Sequence, residues 1–114
     1  AVAAAGLTER AVFSSFSHAS VQRLATLSPL AEVGLIYTRP LARPLRTAVS
    51  LGATAIHPDR RLVRGSGWVT RAHRRRLKVR AWVVNSPKKM HNLVDRGLDG
   101  IFTDDPGLAV RTLR

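Results

Sequence analysis

The stretch LKVRAWVVNSPKKM, residues 77–90, joins a strand to a helix and sets the frame for the rest of the chain. Its first part is apolar at alternate positions, which is the period of two that a half-buried β-strand requires. Ser86 can cap the helix that follows, and Pro87 suits the first helical position because it has no N–H to satisfy. A strand is therefore predicted over residues 77–84 and a helix over residues 87–96.

The same strand-then-helix unit recurs on both sides of this stretch. In chain order, strands are predicted at residues 11–16, 33–37, 53–57, 77–84 and 99–103, and helices at residues 18–27, 43–51, 66–75, 87–96 and 106–113. This alternation is typical of parallel β/α units, and the strand-to-strand interval of roughly 20–25 residues favours a (β/α)8 barrel over a doubly wound sheet. Because a complete barrel needs about 250 residues, the fold class predicted for residues 1–114 is α/β, as a partial TIM (β/α)8 barrel of about five C-terminal units.

Functional side chains of such barrels lie at the carboxyl ends of the strands. This rule selects residues that are mostly aromatic or neutral polar: Ser15, Phe16, Tyr37, Thr38, His57, Pro58, Trp82, Asn85, Thr103 and Asp104. One histidine and one carboxylate do not supply the several oxygen ligands that Mg²⁺ or Ca²⁺ prefers. Other acids, among them Glu32 and Asp59, are predicted on helices or loops away from these ends. The chain alone is predicted to supply a wall of a site and no reaction centre.

The positive charge of the chain suggests a different class of function. Lys and Arg number 19 against 7 acids, for a net charge of +12, so a basic binder of nucleic acid or of an anionic membrane is one alternative. The arginines are spread along the chain, aromatic residues are few, and no nucleic-acid-binding signature occurs, so no specific nucleic acid partner is expected. The opening AVAAAG lacks the basic start of a signal peptide, which favours a cytoplasmic protein. Because the sequence starts at Ala1, the presence of an upstream targeting segment is an open question.

Five segments follow one another in an order and spacing that resemble the C-terminal half of glycerophosphodiester phosphodiesterases: VFSSFSH, VGLIY, GATAIHP, AHRRRLKVRAWVVNSPKKM and DRGLDGIFTDDP. The resemblance implies a TIM-barrel phosphoric diester hydrolase. It would convert a glycerophosphodiester and water into glycerol 3-phosphate and an alcohol, with a divalent metal, Mg²⁺ or Ca²⁺. The family's catalytic histidines and metal-binding carboxylates lie on early strands, in motifs that this sequence lacks. The resemblance therefore implies no catalytic residue and no metal ligand here, and a chain that is inactive alone.

What the resemblance does imply is a substrate-facing wall. Phe16 matches the aromatic residue after the family's fourth strand, and Trp82 matches the family's tryptophan near the substrate. Asn85 follows in the same motif, W-x-V-N, and is expected to fix the geometry of the loop. His57 is a candidate contact for phosphate or glycerol, and the alternative is a hydrogen-bonded histidine at a strand end. These four residues are the predicted substrate-binding set.

The strand over residues 77–84 should present two different faces. Its period of two divides it into a helix-facing set of Val79, Ala81 and Val83 and an inner set of Arg80, Trp82 and Val84. Arg80 belongs inside the barrel because a charge is costly against the helix layer. Just before this strand, Arg76 stands where the family often has a glycine that ends a helix. A left-handed conformation at Arg76 would cost about 1 kcal/mol.

A half barrel has two open strand edges and an uncovered inner face. We therefore expect the chain to need the missing N-terminal half of the barrel or to associate with another copy. The main alternative to a phosphodiesterase is a non-catalytic binding module, either a pseudoenzyme or a truncated product. The sequence leaves open which alcohol group and which metal are preferred.

Overall fold

The structure is a computed structural model that describes residues 12–39, 43–63 and 65–113. Strands and α-helices alternate along it, with these bounds: β1 Val12–Ser15, α1 His18–Leu27, β2 Glu32–Tyr37, α2 Pro44–Ser50, β3 Ala55–Pro58, α3 Ser66–Arg74, β4 Lys78–Ala81, α4 Pro87–Asp95, β5 Gly100–Ile101 and α5 Pro106–Leu113. A short 3-10 helix at Arg60–Leu62 was not predicted. The strands form one sheet in the order β1-β2-β3-β4-β5, and each neighbouring pair is parallel. Successive parallel β/α units of this kind confirm the predicted fold class.

The limits of the helices agree with the predicted limits more closely than those of the strands do. Helices α1 and α5 have the predicted limits, whereas the strand predicted over residues 77–84 ends at Ala81. Beyond Ala81, Trp82 makes an isolated parallel bridge with Asp59, and the backbone from Val83 is irregular. Val84 N donates to the carbonyl of Phe102 at 2.9 Å. The two-residue alternation therefore stops there: Val84 is fully buried in the core, and Val83 is 43% exposed. The predicted faces of Val83 and Val84 were wrong, and Ala11, the first residue of the predicted strand 11–16, lies outside the described residues.

The hydrophobic core lies between the sheet and the helices. Strand residues on this face pack against apolar residues of the helices, and the buried members of this core include Val33, Leu35, Ile56, Val79, Val21, Val69, Met90 and Leu93. Complete burial of a side chain of this size contributes about 1.5–3 kcal/mol, so the helix-facing side of the sheet supplies most of the stabilisation. Across the described ranges, no helix combines the length and the apolar character needed to cross a membrane.

The opposite, inner face of the sheet carries a charged layer near the start of the strands. Glu32 is the first residue of β2, so the prediction that it lies on a helix or loop was wrong. Its carboxylate pairs with Lys78 and accepts from Arg80 Nη2 at 2.8 Å, which places Arg80 on the predicted inner face. The hydrogen bond from Lys78 and the charge of Arg80 hold the pKa of Glu32 below its usual value, although burial acts in the opposite direction. The side chain of Arg80 is only 16% exposed, and the carboxylate of Glu32 compensates its charge at this partly buried position.

Arg76 adopts the left-handed conformation that the sequence suggested, with φ of 59°. We expect Arg76→Gly to raise the free energy of unfolding by about 1 kcal/mol, because glycine has no Cβ to oppose this conformation. Arg74→Gly removes the same charge from the last residue of α3 and is expected to lower it by up to about 1 kcal/mol. Urea unfolding of both variants checks this. Shifts in the same direction would show that charge, and not backbone conformation, decides the effect.

Candidate functional site

A cavity of about 200 Å³ opens at the carboxyl ends of the strands. Every strand contributes to its lining, from within the strand or directly after it: Ser14, Phe16, Ile36, His57, Trp82 and Phe102. The walls are mainly apolar and aromatic, with one hydroxyl and one imidazole. This edge of a parallel sheet is where barrels of this class hold their ligands, so the cavity is the candidate site.

Trp82 forms the centre of one wall. Its indole Nε1 donates to the carbonyl oxygen of His57 at 2.7 Å, which fixes the ring against β3. Phe16 meets the indole edge to face, with ring centroids 6.1 Å apart and an angle of 82° between the planes. Phe16 is itself 59% exposed. The structure thus brings together two of the predicted site residues, which lie more than sixty positions apart in the chain.

His57 is fully buried and lies inside β3, where its ring meets Phe102 with centroids 5.0 Å apart. Its Nε2 is 3.3 Å from Nη1 of Arg80. A guanidinium can only donate, so Nε2 accepts and the proton of a neutral ring sits on Nδ1. Burial, followed by the charge of Arg80, lowers the pKa of His57 to about 4, so the ring is neutral at pH 7.

The Nδ1 atom of His57 has no hydrogen-bond partner within the described part of the chain. A buried donor without an acceptor costs about 1–3 kcal/mol. The atom is shielded from solvent, so an oxygen atom from outside these residues reaches it only when the side chains that cover it move apart. The site therefore offers three aromatic side chains, those of Phe16, Trp82 and Phe102, and one buried neutral donor. Such a set can bind and orient a small ligand, but it holds no pair of groups for general acid–base catalysis.

Asn85 lies outside the cavity and connects two loops. Its Nδ2 donates to Asp104 Oδ2 at 2.9 Å, while its Oδ1 accepts from Thr103 Oγ1 at 2.9 Å and from Asp104 N at 3.0 Å. Asp105 then caps α5 by accepting from Leu108 N. The amide thus connects the loop after Trp82 to the loop after Phe102.

The donors around the cavity do not fit a hard divalent cation. In residues 12–39, 43–63 and 65–113, no three His, Cys, Asp or Glu side chains come together as a metal site. Asp59 directly follows β3, closer to the strand ends than predicted, but its carboxylate accepts from Nε and Nη2 of Arg61 at 3.0 and 2.9 Å. Mg²⁺ and Ca²⁺ prefer several convergent oxygen ligands, and these residues do not provide them.

Phe102 is the most important site residue that the sequence analysis missed. Thr103 and Asp104 were selected because the predicted strand ends there, whereas Phe102, one residue earlier, is the residue that lines the cavity. A signal was available, since Phe102 alternates with Ile101, which packs on the core. At the first strand the cavity is lined by Ser14, while the hydroxyl of the predicted Ser15 accepts from Ser17 N at 3.0 Å.

Comparison with known proteins finds relatives among the glycerophosphodiester phosphodiesterases. The model of the glycerophosphoryl diester phosphodiesterase family matches residues 2–108. A glycerophosphodiester phosphodiesterase of Caldanaerobacter subterraneus subsp. tengcongensis is 30% identical over 111 residues, which cover 93% of this chain and 43% of the relative. The chain thus spans less than half the length of this curated relative.

Two solved structures show the same fold. The glycerophosphodiester phosphodiesterase of Parabacteroides distasonis has a TM-score of 0.85 and 24% identity, over 98% of this chain and 46% of that one. A phosphodiesterase of Oleispira antarctica, solved in complex with the product sn-glycerol-3-phosphate, has a TM-score of 0.80 and 20% identity, over 90% of this chain and 41% of that one. Both similarities are to part of a larger structure.

Proposed function

Because this chain belongs to the glycerophosphoryl diester phosphodiesterase family, we propose that it forms the substrate-facing wall of a phosphodiesterase barrel. The reaction is the hydrolysis of a glycerophosphodiester to glycerol 3-phosphate and an alcohol. The single observation that carries the proposal is the cavity at the strand ends, where Phe16, His57 and Trp82 meet. The product bound to the Oleispira antarctica relative supports a glycerol phosphate as the ligand class.

The wall acts by binding and orienting. Phe16 and Trp82 offer apolar surfaces to the carbon atoms of the glycerol unit. His57 Nδ1–H is fully buried in this structure, so it donates to a ligand oxygen only after the side chains that cover it move apart. A neutral donor suits a hydroxyl as well as a phosphate oxygen, and the anchored indole keeps the contact surface in place. Orientation of this kind lowers the entropic part of a barrier, but the reaction still requires groups that bind metal and transfer protons.

We assign those groups to an N-terminal half barrel that pairs with this chain. The described residues offer no metal-binding set, and relatives are about twice as long. In the proposed complete barrel, the other half holds the divalent metal, Mg²⁺ or Ca²⁺, and covers the inner face. The 40% exposure of Phe102 on that face is consistent with such a cover. The alternative is that a second copy of this chain covers the inner face of the sheet.

A non-catalytic binding module is the second candidate function. The observation in its favour is the donor set itself, because the described residues can hold a ligand but lack an acid–base pair. Such a module would bind glycerol 3-phosphate through the same cavity and would gain no hydrolytic activity when it is completed by a catalytic half. The two candidates therefore differ in one measurable outcome.

The experiment compares the chain alone with a joined barrel, in which residues 1–114 replace the matching C-terminal part of the Caldanaerobacter subterraneus relative. Both proteins are incubated with a glycerophosphodiester and with Mg²⁺, Ca²⁺ or a chelator, and released glycerol 3-phosphate is measured. We expect metal-dependent release from the joined barrel and none from the chain alone. A joined barrel that folds, as judged by circular dichroism, and stays inactive would favour the binding module.

A further inference from the structure

A second recess lies on the outer surface, between helices α2 and α3. This α2–α3 groove has a volume of about 420 Å³, and four guanidinium groups line it together with one indole: Arg43, Arg46, Arg71, Arg75 and Trp68. It shares no residue with the cavity at the strand ends. Its volume is within the range of about 300–1,000 Å³ that is usual for small-molecule sites.

The positive charge in the α2–α3 groove is not neutralised by the described residues. The acids that form salt bridges among the described residues pair with side chains outside the groove: Glu32 with Lys78 and Arg80, Asp59 with Arg61, and Asp99 with His73. No acidic side chain lines the groove. Guanidinium groups gathered in this way repel one another, and a bound anion would relieve the repulsion.

The groups that line the groove indicate the kind of anion. The planar fork of arginine binds phosphate oxygens in pairs, which lysine cannot do, and the lining contains no lysine. Trp68 is half-buried and packs against the core, so its indole has a fixed position beside the arginines. An indole face of this kind stacks on planar rings. Arg46 and Arg75 also line an adjoining recess of about 390 Å³ with an apolar wall at Val49, which extends the groove.

We propose that the α2–α3 groove binds a small organic polyphosphate, with its phosphoryl groups on the four arginines and an aromatic ring against Trp68. A nucleoside triphosphate has this chemistry. A long single strand of nucleic acid uses several aromatic side chains in succession, whereas this groove has one. A membrane presents a broad surface, whereas the groove is a recess between two helices. The proposal does not depend on the phosphodiesterase function.

The test uses ATP as the probe and the 114-residue chain as the protein. The chain has two tryptophans, so a Trp82→Phe background leaves Trp68 as the single fluorescent indole. We expect ATP to quench its emission in a saturable way, and pyrophosphate to compete. Equilibrium dialysis of ATP against the unmodified chain measures the same affinity and does not depend on that substitution. No saturable binding in dialysis would overturn the proposal.

Two double variants with equal charge separate the groove from general electrostatic attraction. Arg71→Gln with Arg75→Gln removes two groove arginines, and we expect roughly tenfold or greater loss of ATP affinity. Arg74→Gln with Arg76→Gln removes the same charge from side chains that do not line the groove, and we expect a loss of about threefold or less. Equal losses would overturn the proposal. Binding of anionic vesicles or of single-stranded DNA that ATP does not displace, and that only the variant without Arg71 and Arg75 loses, would also overturn it, since the groove arginines would then serve a macromolecular surface.

Discussion

Gly34→Ala is expected to lower the free energy of unfolding by about 3 kcal/mol, the upper end of the usual cost of overpacking. Gly34 lies in β2 with its missing side chain directed at the ring of His57. A Cβ at this position would come within 2.5 Å of His57 Nδ1 and 2.7 Å of Nε2. The ring is fully buried between Phe102 and Arg80, so it has little room to move away.

Gly67→Ala is the matched control for this substitution. Nothing lies within 4 Å of a Cβ built at Gly67, which is in helix α3. Alanine favours a helix over glycine by about 1 kcal/mol or less, so we expect the control to be slightly more stable than the parent chain. Adding His57→Ala to Gly34→Ala should recover part of the loss, because the clashing ring is gone. Chemical denaturation of the four proteins measures these differences, and a Gly34→Ala variant of unchanged stability would contradict the close packing.

The second large effect is a loss of stability below neutral pH that originates at His57. In the unfolded chain the imidazole takes up a proton near its ordinary pKa of 6.5, but in the folded chain its pKa is about 4. Between these two values the unfolded state binds more protons, so a fall in pH favours unfolding. The stabilisation is fully present above pH 6.5 and is lost as the pH approaches 4. Between pH 7 and pH 5 the expected loss is about 2 kcal/mol.

The His57→Gln variant isolates this contribution. Glutamine remains neutral, so the variant should lose most of the stability change between pH 7 and pH 5 that the parent chain shows. The lowered pKa of Glu32 means that its own contribution is lost only as the pH falls below its ordinary value of 4.5, outside this interval. Free energies of unfolding measured at several pH values for both proteins provide the comparison. Parallel profiles for the two proteins would show that His57 is not the group responsible.

Local patterns in the sequence were sufficient to predict the β/α units and some of the residues that line the cavity at the strand ends. Ser17 accepts from Ser20 N and Ser86 from Lys89 N at the starts of their helices, so short-range chemistry fixed those limits. Phe16 and Trp82 were selected because they stand where strands end, and the parallel sheet brings such positions together.

Local sequence patterns could not predict features that depend on residues far apart in the chain. Glu32 was predicted on a helix or loop because its partner Arg80 lies 48 positions away in the sequence. The tautomer of His57 is likewise set by Arg80, 23 positions away. The backbone after β4 also makes contacts with distant residues: Trp82 bridges Asp59, and Val84 N donates to the carbonyl of Phe102. Apolar periodicity contains no information about such contacts.

Substitution of the two tryptophans in the joined barrel tests most directly whether the cavity at the strand ends faces the substrate. Trp82 lines that cavity, and Trp68 lies in the α2–α3 groove on the outer surface. We measure kcat/KM for release of glycerol 3-phosphate by Trp82→Ala and by Trp68→Ala, per folded protein. We expect Trp82→Ala to lower kcat/KM by roughly tenfold or more and Trp68→Ala to leave it nearly unchanged. Equal values for the two variants would contradict a substrate-facing role for the cavity.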